Sequence, residues 1–104
     1  MRRVGFTMLL KAGNEAEYQK RHDEIWPELR RELAAAGVRD YTIFLDPETL
    51  VLFAFQRVAE PDATAELSRT EIMRKWWDYM ADLMEVNPDN SPVVRPLREV
   101  FHLD

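Results

Sequence analysis

His22 is the residue best placed for proton chemistry. It falls on a stripe of Tyr18, His22, Ile25, Trp26, Leu29 and Leu33, whose spacings of three and four share one helix face. The imidazole therefore sits one turn after a phenol. Such a group is either a hydrogen-bonded core residue or a proton shuttle in a pocket, and spacing alone leaves both readings open. Asp23 and Glu24 point off the stripe and read as a solvated face. His102, the other histidine, comes near the end of the last strand and reads as a surface residue. There is no His-x-x-x-His pair, no third nitrogen ligand and no cysteine, so no metal site is expected. Nor does the chain carry a serine nucleophile beside glycine or a glycine-rich phosphate loop, having 3 glycines in all.

Trp76 and Trp77 form the second unusual feature. Adjacent helical residues diverge by about 100°, so both rings cannot face the same core centre. One can be core while the other faces a cleft or an interface. Indole faces that meet the C–H groups of a sugar are a common binding device, and core or dimer contacts are the plainer alternative. Tyr41, early in a strand, has the same two readings, since a buried phenol needs a partner for its hydroxyl.

The elements that must position these residues follow from periodicity. Val4–Leu10 reads as a strand, ended by Lys11-Ala12-Gly13. Asn14 and Glu17 have the spacing of a capping box for the helix that carries His22. Pro27 removes the amide that would bond to the carbonyl of Asp23, which predicts a kink or break, and Gly37 suits a left-handed C-terminal cap. Val38–Leu45 and Leu50–Val58 read as a β-hairpin around the Asp46-Pro47-Glu48-Thr49 turn. Thr70 is a candidate cap for a second helix striped by Ile72, Met73, Trp76, Met80, Leu83 and Met84. Asn87 to Pro92 is a loop, and Val93 to Leu103 is strand-like, with Pro96 confining its early part to an edge or bulge.

The order β-α-β-β-α-β is the split βαβ pattern of an α+β, ferredoxin-like fold. Helices on one face leave the other uncovered, yet the strands carry large apolar groups on both, as in Phe6 and Leu9, Tyr41 and Phe44, or Leu52 and Phe53. The simplest cover is a second copy, which predicts a homodimer. The 104 residues are expected to form a single domain. With 14 Lys and Arg against 19 Asp and Glu, the net charge of −5 argues against nucleic acid as the main partner. No apolar run approaches the roughly 18 residues of a membrane span, and the start lacks the apolar core of a signal peptide. The expected setting is the cytoplasm.

The chain resembles the L-rhamnose mutarotase family over essentially its full length. The resemblance rests on Tyr18-Gln19-Lys20-Arg21-His22 with Ile25-Trp26-Pro27-Glu28-Leu29, then Trp76-Trp77-Asp78-Tyr79-Met80, then Asn87-Pro88-Asp89-Asn90-Ser91-Pro92, in the family's order. Phe101-His102-Leu103 is similar to its carboxyl end. Variation is seen elsewhere, for example along Ala59 to Arg69. The resemblance implies a dimeric α/β barrel that interconverts the α and β anomers of L-rhamnose without metal or organic cofactor. It implies His22 as the proton-donating catalytic group, and Tyr18, Tyr41, Trp76 and Trp77 as sugar contacts. His22 is then expected to protonate the ring oxygen, with Tyr18 or water relaying the other proton. Two further readings suit a small dimeric barrel: a monooxygenase acting on an aromatic substrate, and a non-catalytic sugar-binding module.

Overall fold

The apolar, alternating stretches become four strands in the computed structural model, which describes residues 1–104. These are β1 (Arg2–Leu9), β2 (Val38–Leu45), β3 (Val51–Val58) and β4 (Arg95–Leu97). They form one antiparallel sheet in the order β2-β3-β1-β4. Three helices, α1 (Glu15–Asp23), α2 (Pro27–Ala35) and α3 (Glu71–Met80), complete the expected ferredoxin-like α+β arrangement. The first helical segment is broken in two, as Pro27 predicts. Trp26 is extended (φ −63°, ψ 131°), and Pro27 opens α2 at a position where a missing amide costs nothing.

Local chemistry departs from expectation at two places. Asn14 makes no side-chain cap to α1, so the capping box does not form; the Glu15 carboxylate instead accepts from the Gly13 amide at 2.8 Å. The tail is the second departure. Only Arg95–Leu97 pairs with β1, and the residues beyond are not a strand. Pro96 has no N–H for a ladder, and an edge position gives the segment no second neighbour. The other caps form as read: Thr70 Oγ1 accepts from the Met73 amide at 3.3 Å, and Gly37 has φ +86°.

Met8, Leu10, Leu52 and Ala54 on the inner sheet face pack against Tyr18, Leu29, Trp76 and Met80 from the helices. The register explains how Tyr41 joins this face. Arg39 pairs with Arg57, but Thr42 pairs with Phe55, so β2 carries one extra residue there, with Asp40 at φ +50°. A bulge of this kind switches the strand's inward parity. Val38 is buried before it, whereas Tyr41 and Ile43 face inward after it. The opposite sheet face is open, with Leu9, Phe44, Phe55 and Leu97 exposed.

Candidate functional site

Between the inner sheet face and the helices lies a cavity of ≈ 820 Å³, mostly apolar in its walls. It brings together all five residues singled out in the sequence: Tyr18 and His22 from α1, Tyr41 from β2, and Trp76 and Trp77 from α3. A cavity of this size suits a small molecule. The pyranose of a monosaccharide needs only part of it.

His22 is half-buried, and its Nδ1 lies 3.0 Å from the backbone carbonyl of Tyr18. A carbonyl only accepts, so this hydrogen bond places the proton on Nδ1 and leaves the Nε2 lone pair free. The rings of Tyr18 and Trp76 hold the imidazole from two sides, with centroids at 4.4 Å and 5.5 Å and the indole edge-on. Burial lowers the pKa of His22 from its ordinary value, against the Tyr18 carbonyl and the charge of Asp23, which raise it. The imidazole is therefore mostly neutral at pH 7.

The two phenols are shifted the other way. Burial pushes Tyr18 well above the ordinary tyrosine range, and the nearby Tyr41 adds to the shift. Tyr41 is 39% exposed as a residue, but its hydroxyl end is surrounded by protein. That burial pushes its pKa up to about 12, with a hydrogen bond to Gln56 pulling it down. Both groups stay protonated at neutral pH and present O–H donors beside a neutral imidazole. Trp76 is buried and packs edge-on against Trp26 at 5.1 Å, whereas Trp77 is only half-buried. The division of the pair between core and cleft is thus partial, since both line the cavity.

Arg21, next to His22 on α1, ties that helix to Tyr79 of α3 and to Asp82 just beyond it. Its guanidinium bonds to Glu17 at 2.8 Å, to Asp82 at 2.9 Å and to the Tyr79 carbonyl at 2.6 Å, and lies 4.4 Å from the Tyr79 ring centroid. The loop from Asn87 to Pro92 also reaches the cavity. Asn90 and Pro92 line it, and Asn90 Nδ2 donates to Asp78 at 3.0 Å.

Sequence reasoning missed Asp23, Gln56 and Asn90 as wall residues. Asp23 is exposed, as a solvated carboxylate should be, yet it lines the cavity and acts on the imidazole. Gln56 did leave a signal: it is the polar member of the inward series Leu52, Ala54, Gln56, Val58. His102 is exposed and its Nε2 meets Asp104 at 2.9 Å, outside the cavity. No three His, Cys, Asp or Glu residues are grouped so as to hold a metal ion.

Comparison with known proteins places the chain in a family. The sequence model of the L-rhamnose mutarotase family matches residues 3–103. The chain belongs to the L-rhamnose mutarotase family. A Bacteroides thetaiotaomicron L-rhamnose mutarotase is 60% identical over 104 residues, covering 100% of both chains. The Listeria monocytogenes L-rhamnose mutarotase is 50% identical and 99% covered on each side. Among solved structures, the L-rhamnose mutarotase of Formosa agariphila superimposes with a TM-score of 0.93 at 50% identity, covering 100% of both chains. A Mycobacterium tuberculosis protein, 15% identical with a TM-score of 0.61 over 98% of this chain, shares the fold alone. Membership in the rhamnose mutarotase family does not favour the monooxygenase or the non-catalytic reading.

Proposed function

We propose that the protein catalyses exchange between the α and β anomers of L-rhamnose, with His22 moving the proton and Tyr18, Tyr41, Trp76 and Trp77 holding the sugar. The observation that supports it most directly is the lone pair of His22 Nε2, left free by the Nδ1 hydrogen bond, in a cavity that also holds two protonated phenols. Mutarotation opens the pyranose, turns the free aldehyde and closes the ring on its other face. Opening removes a proton from the anomeric hydroxyl and delivers one to the ring oxygen.

A neutral imidazole accepts before it donates, and this sets the order of events. In the reading we favour, Nε2 first takes the anomeric proton, while a Tyr18 O–H or a water serves the ring oxygen. The imidazolium then returns its proton to the aldehyde oxygen during closure, whereas the family resemblance implied donation to the ring oxygen. The open-chain aldehyde is neutral, so side chains suffice for the chemistry as written. General acid–base help of about 10²–10⁴-fold, with positioning, is what such a step needs. The methyl group of rhamnose suits a wall of indole and methionine, and Met73 and Trp77 line the cavity.

The whole chain would act as one such unit, paired with a second copy through its open sheet face. That pairing is supported by the exposed Leu9, Phe44, Phe55 and Leu97. No helix is long and apolar enough to cross a membrane. A cytoplasmic setting fits a chain with 0 cysteines, which draws nothing from an oxidising compartment. Polarimetry of freshly dissolved α-L-rhamnose tests the activity. The rotation should reach equilibrium faster in proportion to protein concentration; relaxation at the buffer rate at every concentration would refute it.

A further inference from the structure

α1 is weakly held by its own packing. It is a helix of 9 residues, and Tyr18 is its one buried side chain. A helix so short is not stable alone and takes its place from the surfaces it meets. Yet α1 carries His22, whose proton transfers need a fixed position. The second hold comes from Arg21. Its guanidinium makes every hydrogen bond that joins α1 to distant parts of the fold: to the Tyr79 carbonyl at 2.6 Å and to Asp82 at 2.9 Å. Glu17, one turn back on α1, steadies its Nε at 2.8 Å. The Arg21 side chain is 13% exposed, so it is a packed group and not a solvated one.

The same guanidinium is tied to Trp76. α3 has no basic residue in its last turn, and Arg21 brings a cation to that negative end from α1. It also lies 4.4 Å from the centre of the Tyr79 ring. Tyr79 stacks on Trp26 at 5.3 Å, and the two rings pack against Trp76 at 5.8 Å and 5.1 Å. Trp26 joins them from the extended residue just before Pro27.

At about 100° per residue, Arg21 and His22 lie on either side of Tyr18 around α1, by about 60° and 40°. Tyr18 as sole anchor would let the helix roll about its axis, and a roll would swing His22 along the cavity wall. With side chains reaching about 5–6 Å from the axis, a roll of about 10° moves a side-chain end by about 1 Å. A misplacement of about 1 Å costs a reaction about 10²-fold. We infer that Arg21 is a positioning residue for anomer exchange: its bonds to Tyr79 and Asp82 stop α1 from rolling about Tyr18 and so hold His22 against Trp76 and the sugar. This rests on the reading that His22 moves the proton. Tyr41, Trp76 and Trp77 stand on β2 and α3, so a rolled α1 leaves most of the sugar's contacts in place and misaligns the base.

Anomer exchange over a range of L-rhamnose concentrations tests this in Arg21→Met, Arg21→Lys and Asp82→Asn, with the folded fraction of each taken from circular dichroism. Per folded molecule, kcat should fall about 10–100-fold in Arg21→Met while KM changes less than about threefold. Arg21→Lys keeps a cationic donor but not the fork, and should regain part of kcat. Asp82→Asn leaves the Tyr79 and Glu17 bonds, and should lose less than Arg21→Met. The His22 ring protons, set among the Tyr18 and Trp76 rings, should shift in the spectrum of folded Arg21→Met. An unchanged kcat per folded molecule, or a loss carried by KM alone, would overturn the positioning role. Should Arg21→Met not fold, wild-type kcat in both folded Arg21→Lys and folded Asp82→Asn would overturn it equally. Wild-type protein exchanging the anomers only at the buffer rate would instead overturn the reaction itself, and the inference with it.

Discussion

At His22 two effects divide the work. The Tyr18 carbonyl fixes which nitrogen carries the proton, and burial disfavours the charged ring strongly enough to outweigh that carbonyl and Asp23, which favour it. The outcome is a neutral imidazole whose Nε2 accepts. Nitrogen-15 correlation spectra at neutral pH should accordingly show the Nδ1–H tautomer, and an Nε2–H signal would contradict the proposed order of proton transfers. The pH dependence follows from the direction of the shift. A lowered pKa means that the neutral form persists below the ordinary imidazole value of about 6.5. The acid limb of the anomer-exchange rate should therefore lie below about pH 6.5. A limb above that value would mean that a partner charge outweighs burial. Stability carries the same sign. As pH falls below about 6.5 the unfolded state takes up the proton before the folded state does, so this group's contribution is present above that pH and lost below it.

The elements place these residues through a few backbone decisions, and those differ in how far they can be read from sequence. Pro27 and Gly37 were legible because each acts through its own backbone: one lacks an amide, the other tolerates φ +86°. The bulge at Asp40 was not legible, although it is what turns Tyr41 into the cavity, because an extra residue shows only once β2 is paired with β3. The Asn14 cap was misread because its spacing to Glu17 says nothing of the local geometry, in which the Glu15 carboxylate bonds the Gly13 amide and Asn14 makes no side-chain cap. Two glycines offer a matched test of the local argument. Both Gly13 and Gly37 have positive φ, but a Cβ at Gly13 meets nothing within 4 Å, whereas at Gly37 it would lie 2.7 Å from the Ala59 Cβ. Gly13→Ala should cost about 1–2 kcal/mol from backbone conformation alone. Gly37→Ala should cost about 2–4 kcal/mol, because the crowding at Ala59 adds to the backbone term. Urea unfolding at constant slope measures both, and equal losses would show that the Ala59 contact yields freely.

For the molecule as a whole, the sequence pattern identified the order of strands and helices along the chain, and the strands' large side chains on both sides pointed to an uncovered face. The same pattern overextended the last strand, since apolar residues from Val93 to Leu103 look alike whether or not they pair in a sheet. Exposure separates them: the tail's Phe101 is 77% exposed, whereas β1's Met8 is 5% exposed. If assembly covers the tail and the open face, folding and association are linked, and the melting temperature should rise with protein concentration. A melting temperature independent of concentration over two decades would contradict that linkage. Tyr18, His22, Tyr41, Trp76 and Trp77, the residues to which the family resemblance pointed, all line one cavity. Asp23 and Asn90 also line it but were not singled out, because each is an ordinary polar residue by sequence, whereas Gln56 was legible only as the polar member of an inward-facing series.

Saturation-transfer NMR between the α and β anomeric protons of equilibrated L-rhamnose reads the proposed exchange directly. With catalytic amounts of the protein the exchange rate should exceed that in buffer, and His22→Ala should lower the excess by about 10²–10⁴-fold while the fold persists. Exchange at the buffer rate with the wild type, or an undiminished rate in folded His22→Ala, would contradict the role given to this imidazole.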